Sequence, residues 1–189
     1  MCDTDTVTLH CERTALLVID VQERLCAAMD PERLAGVRRN TIILLEAAKV
    51  LGLPVLVTEQ YPKGIGPTLP DIAAAFPEGQ AVHEKVCFSC ADADAFMDEL
   101  RASGRDQLLL TGMETHVCVF QTARDLARAG FTPFVPQDAV ISRTLENQAI
   151  GLRLMAQAGA TRTGTETVLF DLLGKAGTPE FKALAPLIK

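Results

Sequence analysis

Basic charge, histidine and long apolar runs are all scarce in this chain, and each shortage closes off a class of function. Lysine and arginine number 18 against 24 aspartates and glutamates, a net charge of -6. With a pI near 5.1 the chain has no electrostatic footprint for nucleic acid or an anionic membrane. The three histidines, His10, His83 and His116, include no two spaced as a metal pair, so neither a metal nor another cofactor is expected. No apolar run approaches a membrane span, and the N-terminus lacks the charged, apolar and small-residue order of a signal peptide. The expectation is a soluble, cytoplasmic chain whose partner is a small molecule. Internal repeats, low-complexity segments and dividing linkers are also missing.

What is present is enough apolar material for a core. At 189 residues and 48% hydrophobic content, residues 1–189 read as one domain. The six cysteines could make three disulfides, but an α/β core needs no staples, so reduced thiols are expected.

Residues 1–13 are polar and unpatterned and read as an N-terminal arm. Thr14 to Asp20 is a continuous apolar run ending on a carboxylate, too short for a typical helix, and reads as a central parallel strand. Asp30-Pro31 supplies an N-cap and first-turn proline for a helix ended by Gly52, and Pro54 to Thr58 is the second strand. Residues 59–80 form a loop excursion rich in proline and glycine, with a short helix around Asp71 to Phe76. It follows a strand's carboxyl end, and Tyr61, the only tyrosine, is a candidate pocket wall. Further strands are expected near Ala81 to Val86, Asp106 to Thr111, Phe131 to Val135 and Thr161 to Thr163, with helices between them. Six strands alternating with helices predict an α/β fold, a doubly wound, mainly parallel, Rossmann-like sheet.

In such sheets ligands bind at the carboxyl ends of the strands. The segment Gln107 to Val119 reads as a buried strand ending at Gly112, a sharp turn, and a helix with Cys118 in its first turn. The unpaired N–H groups and positive dipole end there favour a thiolate. Asp20 and Lys85 sit at or just past the ends of two other predicted strands. If those strands are neighbours, Asp20, Lys85 and Cys118 converge as a base, a cation and a nucleophile.

The segments Ala15-Leu16-Leu17-Val18-Ile19-Asp20-Val21-Gln22, Glu84-Lys85 with Phe88-Ser89, and Thr111-Gly112-Met113-Glu114-Thr115-His116-Val117-Cys118-Val119 occur in the order found in the isochorismatase-like cysteine hydrolase superfamily, which the chain resembles. The resemblance implies a three-layer α-β-α sandwich, with Asp20 as general base, Cys118 as nucleophile and Lys85 orienting both. It also implies a cis peptide at Met113-Glu114 and an oxyanion hole made by the N–H groups of Glu114 and Cys118. The implied reaction is hydrolysis of a small amide, urea or carbamoyl C–N bond through a thioester, in a homo-oligomer. Gln22 is assigned to holding Asp20 or substrate, or else to structure, and Phe88 to the pocket wall.

Departures from the pattern narrow the reaction. Nicotinamidases of this superfamily carry an Asp-x-His and a second histidine after the second strand, where this chain has Glu59-Gln60-Tyr61-Pro62-Lys63-Gly64. Isochorismatases proper usually lack the cysteine at the position of Cys118. The stretch from Thr58 to Gly66 most resembles the isochorismatase domain-containing branch. Three other readings stay open: a redox pair at Cys87 and Cys90, a Cys118–His116 dyad, and a non-catalytic scaffold on the same fold.

Overall fold

Every residue of Thr14–Ile19 (β1) is buried, as a strand covered on both faces requires. In the computed structural model, which describes residues 7–189, its side chains alternate between two cores. Leu16 and Val18 pack with Val37, Leu44, Leu45 and Ala48 of Pro31–Leu51 (α2) and with Val168 and Leu172. Ala15, Leu17 and Ile19 pack with Phe96, Leu100, Ala123, Leu126, Leu152 and Met155. One sheet between two helical layers follows. Burial of each such leucine contributes about 1.5–3 kcal/mol relative to exposure.

The remaining strands are Val55–Gln60 (β2), Val82–Lys85 (β3), Gln107–Met113 (β4), Thr132–Pro136 (β5), Val140–Ile141 (β6) and Thr161–Thr163 (β7). The sheet runs β3-β2-β1-β4-β5-β7 with β6 alongside β4, and all its pairings are parallel. A seventh strand thus joins the six expected. With two residues, β6 is too short to carry a periodicity.

The other long helices are Asp94–Ala102 (α5), Phe120–Arg128 (α6), Leu145–Gln157 (α7) and Thr165–Leu173 (α8). Shorter ones are Glu23–Cys26 (α1), Pro62–Ile65 (α3), Pro70–Ala74 (α4) and Pro179–Leu184 (α9), so the 59–80 excursion holds two short helices. The Asp30 carboxylate accepts the N–H of Arg33 at 2.9 Å to start α2, and Gly52 ends it with φ of 68°. No helix of the described residues is long and apolar enough to cross a membrane.

The first six residues of the expected arm, Cys2 among them, lie outside the described residues. From Val7 onward the arm is tied down: Leu9 is buried and its N–H donates to Asp171 at 2.6 Å, while His10 N–H donates to the Gln107 side chain at 2.8 Å.

The strand order reverses between β1 and β4. The crevice outside their carboxyl ends is the topological switch point, and Asp20 and Cys118 follow those two strands.

Candidate active site

The approach to Cys118 is set by Gly112. A Cβ there would lie 2.0 Å from the Ile19 carbonyl oxygen, so only glycine, at φ of 114°, lets the end of β4 lie this close to β1. The Met113–Glu114 peptide is cis. Thr115–Val119 then forms a π-turn before α6, where the sequence suggested one continuous α-helix. The Glu114 carbonyl accepts from the N–H of Val117 at 3.0 Å and of Val119 at 3.3 Å, passing over the N–H of Cys118 between them.

Asp20, at the end of β1, has φ of 53°, a left-handed conformation unfavourable for a residue with a Cβ. It is wholly buried and both its oxygens are held. Lys85 Nζ donates to Oδ2 at 2.6 Å, and Thr58 Oγ1 donates to Oδ1 at 2.7 Å. The Lys85 ammonium also donates to Gln60 Oε1 at 2.8 Å and to the carbonyls of Phe88 at 3.3 Å and Cys87 at 3.4 Å. Burial opposes its charge, but chiefly the charge of Asp20, with the bond to that carboxylate, outweighs burial, and its pKa is raised. A buried charge is retained in this way only when paired and fully bonded.

Cys118 completes the group, with 6% of its surface exposed. Burial first, then the charge of Asp20 and a hydrogen bond with it, push the thiol pKa well up, against the opposing pull of Lys85. Burial and the Asp20 carboxylate thus act against the thiolate that a helix start favours.

The other expected site residues fall differently. Tyr61, with φ of 37°, lines a cleft of about 360 Å³ with Pro62, Lys63, Glu84, Lys85 and Val86. This cleft reaches Lys85 but is not lined by Asp20 or Cys118. Gln22 is buried, and both ends of its amide are taken by backbone. Nε2 donates to the carbonyls of Gln60 at 3.0 Å and Gly66 at 2.6 Å, and Oε1 accepts the N–H of Gln60 at 2.7 Å. Its work in this structure is to fix the end of β2. Phe88 is 52% exposed and outside the cleft lining; it supplies a carbonyl to Lys85.

Glu114 is buried and its carboxylate accepts from both N and Nε of Arg143 at 3.1 Å. His116 Nδ1 is 3.0 Å from Ser142 Oγ. Cys87 and Cys90 are both free thiols. Cys90 is wholly buried, its pKa pushed up to about 12 by burial and by the charge of Asp20, an environment that disfavours the reactive thiolate. Among the described residues no cluster of three or more His, Cys, Asp or Glu has the arrangement of a metal site.

Thr58, Gln60 and Gly151 were not singled out from sequence. Thr58 and Gln60 are two apart at the end of β2 and so share a face, a period-two signal that was available. Gly151 left none: only the fold shows that a Cβ there would lie 2.7 Å from the Thr115 carbonyl oxygen and 2.8 Å from the backbone of His116.

Comparison with known proteins adds to this geometry. Residues 14–167 match the family described as isochorismatase domain. The chain is 36% identical over 183 residues to isochorismatase domain-containing protein 2A of Mus musculus, covering 94% of this chain and 84% of that one. Among solved structures it is similar to one described as the MAR1 ribonuclease from Caenorhabditis elegans, with TM-score 0.90, 33% identity, and 96% and 92% of the two chains covered. The YcaC gene product of Escherichia coli, described as an octameric hydrolase of unknown specificity, aligns with TM-score 0.88 and 27% identity over 96% and 89%.

Proposed function

The chain belongs to the isochorismatase domain family, and from that premise we propose that it is a cysteine hydrolase cleaving a small-molecule amide, urea or carbamoyl C–N bond through a thioester on Cys118. The observation that carries this reading is the wholly buried Asp20–Lys85 pair, 2.6 Å apart, beside a cysteine at the switch point of the sheet. A buried charged pair that builds no core is costly, and its value lies in chemistry.

As the Cys118 thiol attacks the carbonyl carbon, its proton passes to the Asp20 carboxylate and the carbonyl electrons move to oxygen. The N–H of Cys118, with that of Glu114, holds the oxyanion. Collapse of the tetrahedral adduct expels the amine, which takes the proton from Asp20. Asp20 then removes a proton from water as it attacks the thioester, and the acid and the thiol are released. Lys85 keeps the charge on Asp20 compensated throughout.

In this reading residues 1–189 act as one domain, Tyr61 walls the substrate cleft, and the protein is a homo-oligomer. Support for the last comes from the exposed Tyr61, Val86 and Phe88 beside the cleft and from the octameric YcaC relative. The ribonuclease role attached to the C. elegans protein is not carried over, because a net charge of -6 works against binding a phosphate backbone.

An ammonia-release screen across small amides, ureas and carbamoyl compounds tests the proposal. At least one compound should release ammonia, and Cys118→Ala and Asp20→Asn should each abolish the release. Turnover that survives Cys118→Ala would overturn the mechanism.

A further inference from the structure

Asp20 is held from two sides, and the mechanism uses only one of them. Lys85 occupies Oδ2. On Oδ1 stands the hydroxyl of Thr58 at 2.7 Å, buried at the end of β2, and 3.7 Å behind it lies the thiol of Cys90. A hydroxyl has one proton to give, and a carboxylate paired with Lys85 can only accept. Thr58 therefore donates to Asp20, and towards Cys90 its oxygen must accept. The direction is fixed: Cys90 Sγ–H to Thr58 Oγ1, and Thr58 Oγ1–H to Asp20 Oδ1. Cys90 is itself fixed by its N–H, which donates to Thr122 Oγ1 on α6 at 2.9 Å.

We propose that Thr58 is a positioning residue for the general base: its hydroxyl, oriented by the Cys90 thiol, fixes the Asp20 carboxylate plane so that the remaining lone pair faces Cys118. This rests on the reading of Asp20 as the base. The charged and titratable groups facing Asp20 are Lys85 from β3, Cys118 from the π-turn and Cys90 from the short 3-10 turn Cys90–Asp92. Of these, Lys85 holds Oδ2 and Cys118 is the reactant, so without Thr58 the carboxylate could turn about the single Lys85 contact.

The probe is p-nitrophenyl acetate, an activated ester. Its reaction with Cys118 gives a burst of p-nitrophenolate and a thioester, and its steady-state phase reads the water attack that Asp20 promotes. Thr58→Val keeps the shape and removes the hydroxyl; Thr58→Ser keeps the hydroxyl and removes a methyl. A hydrogen bond to a charged group lost at this point is expected to slow the steady-state phase by about 10- to 100-fold in Thr58→Val, with burst amplitude retained. Thr58→Ser should stay within about 3-fold of the parent.

If packing were the role of Thr58, the order of the two variants would reverse, because serine opens a cavity and valine does not. That reversal, or a Thr58→Val protein as fast as the parent, overturns the proposal. Should Thr58→Val not fold, Cys90→Ser and Cys90→Ala decide. Serine retains a donor and should be near the parent, while alanine should be about 2- to 5-fold slower in the steady state; equal rates would overturn it. A burst that is absent, or that survives Cys118→Ala, or a steady-state phase unchanged in Asp20→Asn, would instead defeat the triad reading on which this rests.

Discussion

Alanine at two helical glycines should have opposite consequences. Gly36 in α2 has nothing within 4 Å of where a Cβ would stand, and Gly151 in α7 has three backbone atoms of the Thr115–Val119 turn within 2.8 Å. In a helix interior alanine is favoured over glycine by roughly 0.5–1 kcal/mol. Gly36→Ala should realise that gain and raise the midpoint of thermal unfolding by about 1–4 °C. At Gly151 the same gain opposes a clash. Ordinary contact begins near 3.4 Å, so the Thr115 carbonyl oxygen at 2.7 Å must retreat by several tenths of an ångström. Its neighbours cannot yield as a flexible side chain would, and overpacking of this kind costs about 1–3 kcal/mol. The clash outweighs the propensity, and Gly151→Ala should unfold at or below the parental temperature.

The functional effect should be larger than the stability effect. A displacement approaching 1 Å at a reacting group can cost on the order of 100-fold in rate. Thr115 and His116 precede Cys118 in the same turn, so turnover of p-nitrophenyl acetate should fall by about 10- to 100-fold. Thermal unfolding by circular dichroism and steady-state rates on both variants give the comparison. A Gly151→Ala protein stabilised as much as Gly36→Ala, and as active as the parent, would refute the view that α7 sets the position of the Thr115–Val119 turn.

Other expectations follow from the buried charges and thiols. Lys85→Met leaves Asp20 buried without its partner, and removing one member of such a pair costs about 3–5 kcal/mol; urea denaturation should show this loss, with most of it recovered in Lys85→Met/Asp20→Asn while both stay inactive. Stability should fall above pH 9. Cys26 and Cys90 have pKa values raised by burial from 9.0 to about 11 and about 12, and Cys118 is raised too. Raised folded-state values mean that the unfolded chain releases these protons first. Their stabilisation is thus complete below pH 9 and is lost as pH climbs towards the folded-state values, at about 1.4 kcal/mol per pH unit for each thiol. A urea midpoint unchanged between pH 8.5 and 10.5 would contradict this. Gly112→Ala, which drives a Cβ to 2.0 Å from the Ile19 carbonyl oxygen, should abolish soluble folded protein or activity; normal yield with normal turnover would show that β4 approaches β1 less closely.

The parts of the fold that announce themselves are those governed by local chemistry. β1 is an unbroken apolar run and α2 has a proline start, an aspartate cap and a glycine stop, so both were legible to within a residue or so. β4 extends past the glycine read as its end, because Gly112 serves a close approach to β1 that no local rule encodes. From sequence Gln22 reads as holding Asp20 or substrate or else as structural, and Phe88 as a pocket wall if Lys85 points into the site; where such side chains point depends on strand register that a single strand does not carry. Gln60↔Lys85 and Thr58↔His83 are the register pairs that bring the β2 polar face to Lys85 and Asp20. Neither pair can be read from one strand alone.

Two opposing influences act on the Cys118 thiol. A helix start favours an anion by about 0.3–1 kcal/mol at exposed positions, and up to about 2 kcal/mol when partly buried. Against this stand the burial of Cys118 and the full negative charge of Asp20, which together move its pKa upward by more than Lys85 restores. The two influences oppose each other, and burial with the Asp20 charge sets the direction in which the thiol pKa moves. In the proposed mechanism the attack of such a thiol calls for a base that accepts its proton. The Asp20 carboxylate is buried, and the structure holds it with the ammonium of Lys85 on one oxygen and the hydroxyl of Thr58 on the other. Convergence of the strand ends brings the groups together, and the hydrogen bonds onto Asp20 are what hold its carboxylate in place.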